Sequence, residues 1–384
     1  MSRPIVVFVA PSTGTFTPTH SGALSTDIHE CALQARMDGF DPIVIARQGP
    51  PDIAPWDDVK SYFVPYPNIP TGSFAERIGR FERRLLGWRH VGQRVYTARL
   101  ARTLRENGLT NAPLFPSNDP DGVVFLRSCF PQARLYHRFH NQMESKPRVR
   151  AALGNAASAN LCVSDFTSRW IEKYYSTQAS TVYDGVNLEE FTPALTSPSG
   201  PTVLNFVGRT GHEKAPDIFL EAARLLSEAR RDFGVQLVGS NHWGEVTLDE
   251  FQRKLQELSA QIEKNGVKVR QTGHVPRARI ADEFRRAHIH IVPSRWDEPF
   301  GLTTIEGMAC GLATIASNTG GSPEIIADSG QLFERDNAAD LAHQITLWLN
   351  APELRRVFAL KARKRAEEFS WARTWAGLRA AMES

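Results

Sequence analysis

The chain has 384 residues, with 45 Lys plus Arg against 42 Asp plus Glu, a formal net charge of +3, and 41% hydrophobic residues. At roughly 100–200 residues per domain this predicts two domains, each large enough for its own core. The charge balance removes a wholesale polycation argument for nucleic acid, and 27 Gly and 24 Pro exclude a collagen-like or low-complexity chain. Cys31, Cys129, Cys162 and Cys310 lie far apart without CxxC spacing. That pattern argues against a disulfide framework or a cysteine zinc site, and a reducing compartment is expected. The apolar run at residues 5–10 is too short for a signal h-region or a membrane span, so a soluble cytoplasmic protein of enzyme size is expected.

Residues 5–10 (IVVFVA) read as a buried strand between Pro4 and Pro11. A Gly/Ser/Thr loop, TGTFTPTHSGALST, leads into a helix through Met37, a Gly39 stop and a second strand at 42–46. Strand, Gly-containing loop, helix, strand opens a parallel α/β unit. Further strands are predicted at 123–126, 135–139, 159–163 and 181–183. The Pro/Ser-rich segment PALTSPSGP, residues 193–201, reads as a linker between an N-terminal domain at 1–192 and a second domain at 202–365. After it come strands at 202–208, 235–239, 267–272, 288–293 and 313–316, with a helix at 218–230. A last amphipathic stretch over 366–384, carrying Phe369, Trp371 and Trp375, stays on the second domain or crosses back to the first.

Residues 76–106 hold nine Arg (77, 80, 83, 84, 89, 94, 99, 102, 105) against three Glu, interleaved with Phe81, Leu85, Trp88, Val95 and Leu100. Helical spacing of the apolar residues predicts basic amphipathic helices. Two readings stand: a solvated helix face, or an anchor for an anionic membrane surface or acceptor. No nucleic-acid motif accompanies the patch.

The window IVPSRWDEPFGLTTIEGMACGLATIASNTGGSPEII carries the most chemistry. A buried strand ends near Pro293, a polar loop follows, and a helix begins near Leu302 with Glu306 in its first turn. Gly301 lets backbone pass close to a ligand, and Thr303 and Thr304 sit where free amides and the helix dipole favour a phosphate. A carboxylate beyond that point accepts hydrogen bonds from sugar hydroxyls. On spacing alone, Glu306 reads equally as a dipole-favoured helical Glu and Glu298 as a solvated loop charge. Arg209 and Lys214 lie at a strand-to-helix turn, as two cations able to neutralise a diphosphate or as ordinary surface charge. Asp119-Pro120-Asp121 has a DxD form but reads as a turn, so no metal site is assigned to it. His288-x-His290 reads as a strand with one buried and one exposed face. Glu324, after a Ser322 cap and Pro323, reads as structural.

EPFGLTTIEGMACG (298–311) resembles the E-x7-E signature of retaining glycosyltransferases of the GT4 family, which have the GT-B fold. GRTGHEKAPD (208–217), QTGHVPRARIADEFRRAHIHIVPS, SNTGGSPEII, DSGQLFERDNAADLA, FHN (139–141) and VSDFTSRWI (163–171) are similar to other family segments, so the resemblance covers most of the chain. It implies two Rossmann-like α/β domains facing across a cleft. The C-terminal one would bind a UDP- or GDP-sugar, which is a substrate rather than a cofactor, and the N-terminal one a glycan or lipid-linked acceptor. It implies that Arg209 and Lys214 meet the leaving diphosphate, Glu306 holds the ribose, and Glu298 lies beside the donor sugar. Gly208 and Phe300, Gly301, Leu302, Thr303 and Thr304 would surround the donor phosphates, with His274 and Val275 flanking the base. His140, with His137 as competitor, would face the donor sugar, and Gly22 would meet the diphosphate from the first domain. The chain departs from the family at His20-Ser21-Gly22-Ala23, where two adjacent glycines are usual, and at Asp184-Gly185-Val186-Asn187, where the order N-G-V-D is usual.

The resulting expectation is a metal-independent hexosyl transfer to an acceptor hydroxyl with retention, without a dedicated protein base. It fits polysaccharide or glycoconjugate synthesis, peripheral on the membrane if the basic stretch binds lipid. A nucleotide-sugar epimerase and a non-catalytic sugar-nucleotide-binding module are the rivals. Product analysis separates the first. Intact Arg209, Lys214, Glu298 and Glu306 argue against the second.

Overall fold

The computed structural model describes residues 3–19, 22–68, 91–196, 198–241 and 249–383. The chain divides into two compact units, Met1–Asp184 with Trp371–Ser384, and Gly185–Ser370. The division precedes the Pro/Ser-rich segment, so residues 193–201 belong to the second unit rather than standing between the two. Ser21, Arg77, Arg80, Arg83, Arg84 and Arg89 lie outside the described residues.

The first unit begins with β1 (Ile5–Val9), α1 (Ala23–Met37), β2 (Asp41–Arg47) and β3 (Lys60–Val64), then α2 (Val91–Glu106) and β4 (Pro113–Pro116). After α3 (Pro120–Cys129) come β5 (Arg134–Phe139), α4 (Pro147–Ala156), β6 (Ala159–Cys162), α5 (Asp165–Tyr175) and β7 (Ser180–Thr181). The sheet is parallel, ordered β3-β2-β1-β4-β5-β6-β7. Its central strands are apolar without alternation because helices cover both faces. The chain returns at its end as α13 (Trp371–Glu383), where Trp375 Nε1 donates to Asp38 Oδ2 at 2.9 Å and its ring meets Phe8 and Phe40.

One sequence expectation fails here. Residues 123–126 are not a strand but part of α3. Asp119 caps that helix by accepting from the Gly122 amide at 2.9 Å, and Pro120 starts it, so the DxD-like turn is a helix start. The strand is instead PLFP, 113–116, with a proline at each end.

The second unit repeats the plan with β8 (Thr202–Val207), α6 (Pro216–Ala229), β9 (Phe233–Val238), α7 (Glu250–Lys264) and β10 (Val269–Gln271). It continues with α8 (Ile280–Arg285), β11 (Ile289–Val292), α9 (Leu302–Ala309), β12 (Ala313–Ser317), α10 (Ser322–Ile326) and β13 (Gln331–Phe333). Two helices complete it, α11 (Ala338–Asn350) and α12 (Pro352–Ala366). Sheet order is β10-β9-β8-β11-β12-β13, again parallel. Phe219, Leu220, Ala223 and Leu226 recur at helical spacing on α6 and enter a core with Leu341, Ile345 and Trp348 of α11. In both units the order reverses beside the first strand, between β1 and β4 and between β8 and β11. Such switch points, at the carboxyl ends of the strands, are where open α/β sheets bind ligands.

His288 and His290 do not divide into one exposed and one buried side chain. His290 is fully buried, and burial lowers its pKa to about 4. His288 is half-buried, accepting from the Val203 amide at 3.1 Å and bonding the Pro198 carbonyl at 3.2 Å. Gly307 of α9 sits directly on the His290 ring. A Cβ there would lie 2.5 Å from His290 Cδ2, so only glycine lets the helix rest on β11. Gly307→Ala is expected to destabilise the fold by about 1–3 kcal/mol, the range for overpacking. A urea midpoint equal to that of the parent would refute this reading of the glycine.

Candidate functional site

At the switch point of the second sheet, β8 ends at Val207, Gly208 follows, and the chain runs into a 3-10 turn, His212–Lys214. Beside it β11 runs into the loop 293–301. The amides of Arg295 and Trp296 donate to the Glu213 carbonyl at 2.9 and 3.4 Å, which ties the two loops together. Lys214 Nζ donates to Glu298 Oε2 at 2.5 Å and lies 5.3 Å from the centre of the Trp296 ring. Ser294 Oγ and Trp296 Nε1 donate to the same oxygen, each at 3.1 Å. Burial alone would raise the Glu298 pKa, but the Lys214 ammonium and these hydrogen bonds bring it below the ordinary value. A buried carboxylate is thus held charged beside a partly buried ammonium.

The loop around Glu298 is shaped by a turn distant in sequence. Gly320 has φ +59°, and a Cβ on it would lie 2.3 Å from the Glu298 carbonyl oxygen. The Gly321 amide donates to that carbonyl at 2.7 Å. Gly321, not Ser322, takes the cap position of α10, and the role of the GGSPE segment is to hold the Glu298 loop. On the other side, Asp217 accepts from Lys254 Nζ at 2.7 Å and Arg295 Nη2 at 2.8 Å, fixing the start of α6 to the Glu298 loop.

Gly301 caps α9 in the left-handed region, φ +91°. Phe300, Leu302 and Thr304 are buried, and Thr303 is half-buried. Glu306 is the fifth residue of α9, just past the first turn where the sequence suggested it, and is 1% exposed. Its Oε1 accepts from Arg277 Nη1 at 2.5 Å, while its Oε2 is buried without a partner. Burial raises the Glu306 pKa and Arg277 offsets this only in part. The Arg277 guanidinium also covers the Phe191 ring at 4.9 Å. Sequence reasoning missed Arg277, whose only sequence signal is its place two residues after Val275.

Gly208, φ +155°, approaches Gly239 so closely that a Cβ on Gly239 would fall 1.9 Å from the Gly208 carbonyl oxygen. Gly239 in turn pairs with Gly273, the residue before exposed His274 and half-buried Val275. The loops carrying Gly208, His274 and Val275 thus leave the same strand ends. Arg209 differs from Lys214. Its side chain is 62% exposed and paired with Glu213 at 3.0 Å.

In the first unit His140 follows β5 and is buried, its amide donating to Asn118 Oδ1 at 2.8 Å. Arg138, two residues earlier, is also buried. Its Nη2 donates to Asp27 Oδ1 at 2.8 Å and Asp184 Oδ1 at 2.6 Å. Asp27, His140 and Asp184 lie close enough to share an ion, but the Arg138 guanidinium takes the place between the carboxylates and repels a metal cation. His137 is buried and accepts from the Asp119 amide at 3.1 Å. Gly22 precedes α1 with φ −85°, and a Cβ on it would meet nothing within 4 Å, so neither conformation nor space demands glycine. The described part of the basic stretch, α2, buries Tyr96, Leu100, Ala101 and Leu104. Its arginines have local partners: Arg99 donates to the Pro65 carbonyl, Arg102 pairs with Glu106, and Arg105 covers the Phe130 ring.

Residues 188–365 match the family model described as "Glycosyl transferases group 1". Over that stretch the chain is similar to group 1 glycosyl transferases. It is 27% identical to spore coat protein SA of Bacillus subtilis over 67% of this chain and 74% of that protein. It is 31% identical to a D-inositol 3-phosphate glycosyltransferase of Thermobifida fusca, over 68% of this chain and 64% of that enzyme. The matched stretch therefore spans less than two thirds of the latter. The crystal structure of Anabaena HepE in complex with UDP and glucose has the same fold, with a TM-score of 0.72 and 16% identity over 98% of this chain and 99% of that one. Among the described residues no helix is long and apolar enough to cross a membrane.

The Arg277–Glu306 pair predicts a pH signature. Glu306 has a folded pKa above its unfolded value, so its favourable contribution is complete below the unfolded pKa and is lost as pH rises through the folded one. Arg277→Ala removes the opposing cation and steepens that loss. The variant is expected to melt close to the parent at pH 5 and well below it at pH 8, with Glu306→Gln in the same background abolishing the difference. Parallel melting curves at both pH values would contradict the assignment.

Proposed function

We propose that this protein transfers a sugar from a nucleotide-sugar donor to an acceptor hydroxyl with retention at the anomeric carbon and without a metal ion. The reading is carried by one observation, the meeting of Lys214 and Glu298 at the switch point of the second sheet. Lys214, with Arg209, faces the charge that develops on a departing diphosphate, and preorganised charge there stabilises the transition state. Glu298 lies beside the donor sugar, and its negative charge sets the Lys214 ammonium in place before the donor arrives. Glu306 holds the ribose through its carboxylate, which the donor shares with or takes from Arg277. Gly208 and Phe300–Thr304 surround the phosphates, His274 and Val275 flank the base, and from the first unit Gly22 meets the diphosphate and His140 the donor sugar. The leaving phosphate takes the acceptor proton, so no protein base is assigned.

The HepE structure contains UDP and glucose, which favours a UDP-sugar as the first donor to try. The acceptor is a glycan, lipid-linked or otherwise hydroxyl-bearing molecule taken by the first unit, and no nucleic acid is involved. The protein works in the cytoplasm, and any attachment to an anionic membrane surface runs through the Arg77–Arg105 stretch.

Lys214→Ala should lower turnover by on the order of 10²-fold or more, the scale for losing one preorganised charge at a leaving group. A folded Lys214→Ala protein with parental kinetics would sink the assignment. For the donor, thermal shift with UDP and GDP should separate the bases. Product analysis with UDP-glucose distinguishes transfer from epimerisation, because an epimerase alters the donor with no acceptor present. For the basic stretch, equal and negligible flotation with anionic and neutral liposomes would return it to a solvated surface.

A further inference from the structure

Asp184 meets a buried arginine in the first unit. Arg138 and Asp27 are each 2% exposed at the side chain, and Asp184 is 7% exposed. Burying a guanidinium costs several kcal/mol unless counter-charges and hydrogen bonds meet it. A single nitrogen, Arg138 Nη2, serves both carboxylates, while Nε and Nη1 are buried without partners. The His140 ring lies in the same group, with Nε2 3.5 Å from Asp27 Oδ2 and Nδ1 3.9 Å from Asp184 Oδ1.

We propose that Arg138 and Asp184 are positioning residues for His140. The Arg138 guanidinium holds the Asp27 and Asp184 carboxyl groups beside the ring, 3.5 Å from Nε2 and 3.9 Å from Nδ1, and its positive charge opposes theirs, so that the buried ring stays uncharged. Asn at 184 would offer a neutral amide where a second carboxylate now meets Arg138. The aspartate is therefore the partner of this buried arginine. The bearing of the network on catalysis rests on the reading of His140 as a donor-sugar contact, whereas the network itself does not.

The charge balance supports this. Two carboxyl groups face one guanidinium, so a fully ionised cluster would carry an excess negative charge. Burial and the neighbouring Asp27 raise the Asp184 pKa well above the ordinary value. Burial raises and Arg138 lowers that of Asp27, which ends below its usual range. Burial lowers His140 to about 4, Asp27 opposing and Arg138 reinforcing the shift. Among the described residues, the other titratable groups facing the cluster are thiols. Cys31 on α1 donates to Asp27 Oδ1 at 3.6 Å and is pushed well up by burial, and Cys162 on β6 is raised by burial to about 12. Neither supplies charge at neutral pH. Arg138 is the cation that opposes imidazolium formation.

The test is a His140 titration by NMR on the full chain with ring-labelled histidine, the signal assigned by its loss in His140→Gln. The parent signal should remain that of neutral imidazole from pH 8 to pH 5. Arg138→Met leaves two carboxylates beside the ring without a cation and should raise the midpoint by more than one pH unit. Arg138→Lys should raise it less, because an ammonium keeps the charge but not the planar geometry. Asp184→Asn keeps Arg138 and removes one carboxylate, so the midpoint stays low. Should Arg138→Met fail to fold, Arg138→Met/Asp184→Asn, which removes one charge of each sign, should still raise the midpoint through the remaining Asp27. A parental His140 titrating near the free-histidine value overturns the proposal, as does an unmoved midpoint in folded Arg138→Met. A purely structural arginine would change stability without this ordered pattern of midpoints. His140→Ala kinetics with UDP-glucose are read separately. Parental turnover there, together with the expected midpoints, removes the sugar-contact reading and leaves the network standing.

Discussion

The Lys214–Glu298 pair depends on two parallel strands, β8 and β11, leaving the sheet in neighbouring loops on either side of a reversal in strand order. A carboxylate as buried as that of Glu298 is tolerated only when its charge is answered. Here three donors converge on one oxygen, and the ammonium is itself held against an indole face. The surrounding architecture serves this convergence. Asp217 locks the Glu298 loop to α6 through Arg295, and the Gly320–Gly321 turn lies so close to the loop that a side chain on Gly320 would collide with its backbone. Gly301 then turns the chain into α9 and brings Glu306 to the same end of the sheet.

The first unit has the same strand order and uses its own switch region differently. Its buried cation comes from a strand residue, Arg138, rather than from the loop after the first strand. Its counter-ions come from α1 and from the last residue before the chain leaves for the second unit. Asp27 and Asp184 are thus linked across most of the unit's sequence through one guanidinium. Ion pairs of this burial add little net stability against an apolar alternative, but they specify which groups must meet. The two units therefore share a topology and differ in where charge is buried, as expected when function is carried by sites placed on a common fold.

Much of this was legible in the sequence where a pattern was local. The apolar runs of β1, β8 and β11, the α9 start at Gly301 and the spacing of Glu298 and Glu306 are each written within a short stretch of chain. Errors arose where local pattern is ambiguous. VVFL in α3 is a short apolar run that periodicity cannot assign to strand or helix, and the decisive signals are the Asp119 cap and Pro120 before it. The strand beside it, PLFP, was hidden by its prolines, which sit at its first and last positions. β3 and β13 were missed because the first is a half-buried edge strand and the second spans three residues. Arg277 and Arg138 were missed for a different reason. An arginine 29 residues from Glu306, or 111 from Asp27, has no pairing signal until the fold brings them together.

The two cations of the proposed donor site are held in unlike ways, and this bears on how such a site would work. Lys214 is three-quarters buried and held by a carboxylate that is itself held by Ser294 and Trp296, so the fold alone sets its position. Arg209 is paired, among the described residues, with Glu213 four residues on, in a solvated i,i+4 contact of the kind that contributes a few tenths of a kcal/mol. It is therefore free to exchange that partner for a more highly charged one at almost no cost. A rigid cation set in advance lowers the reorganisation needed when charge appears on a leaving group, whereas a loosely held one gains most of its interaction on ligand arrival. Preorganisation thus resides in Lys214 and adaptability in Arg209, and the burial of Glu298 is what separates the two roles.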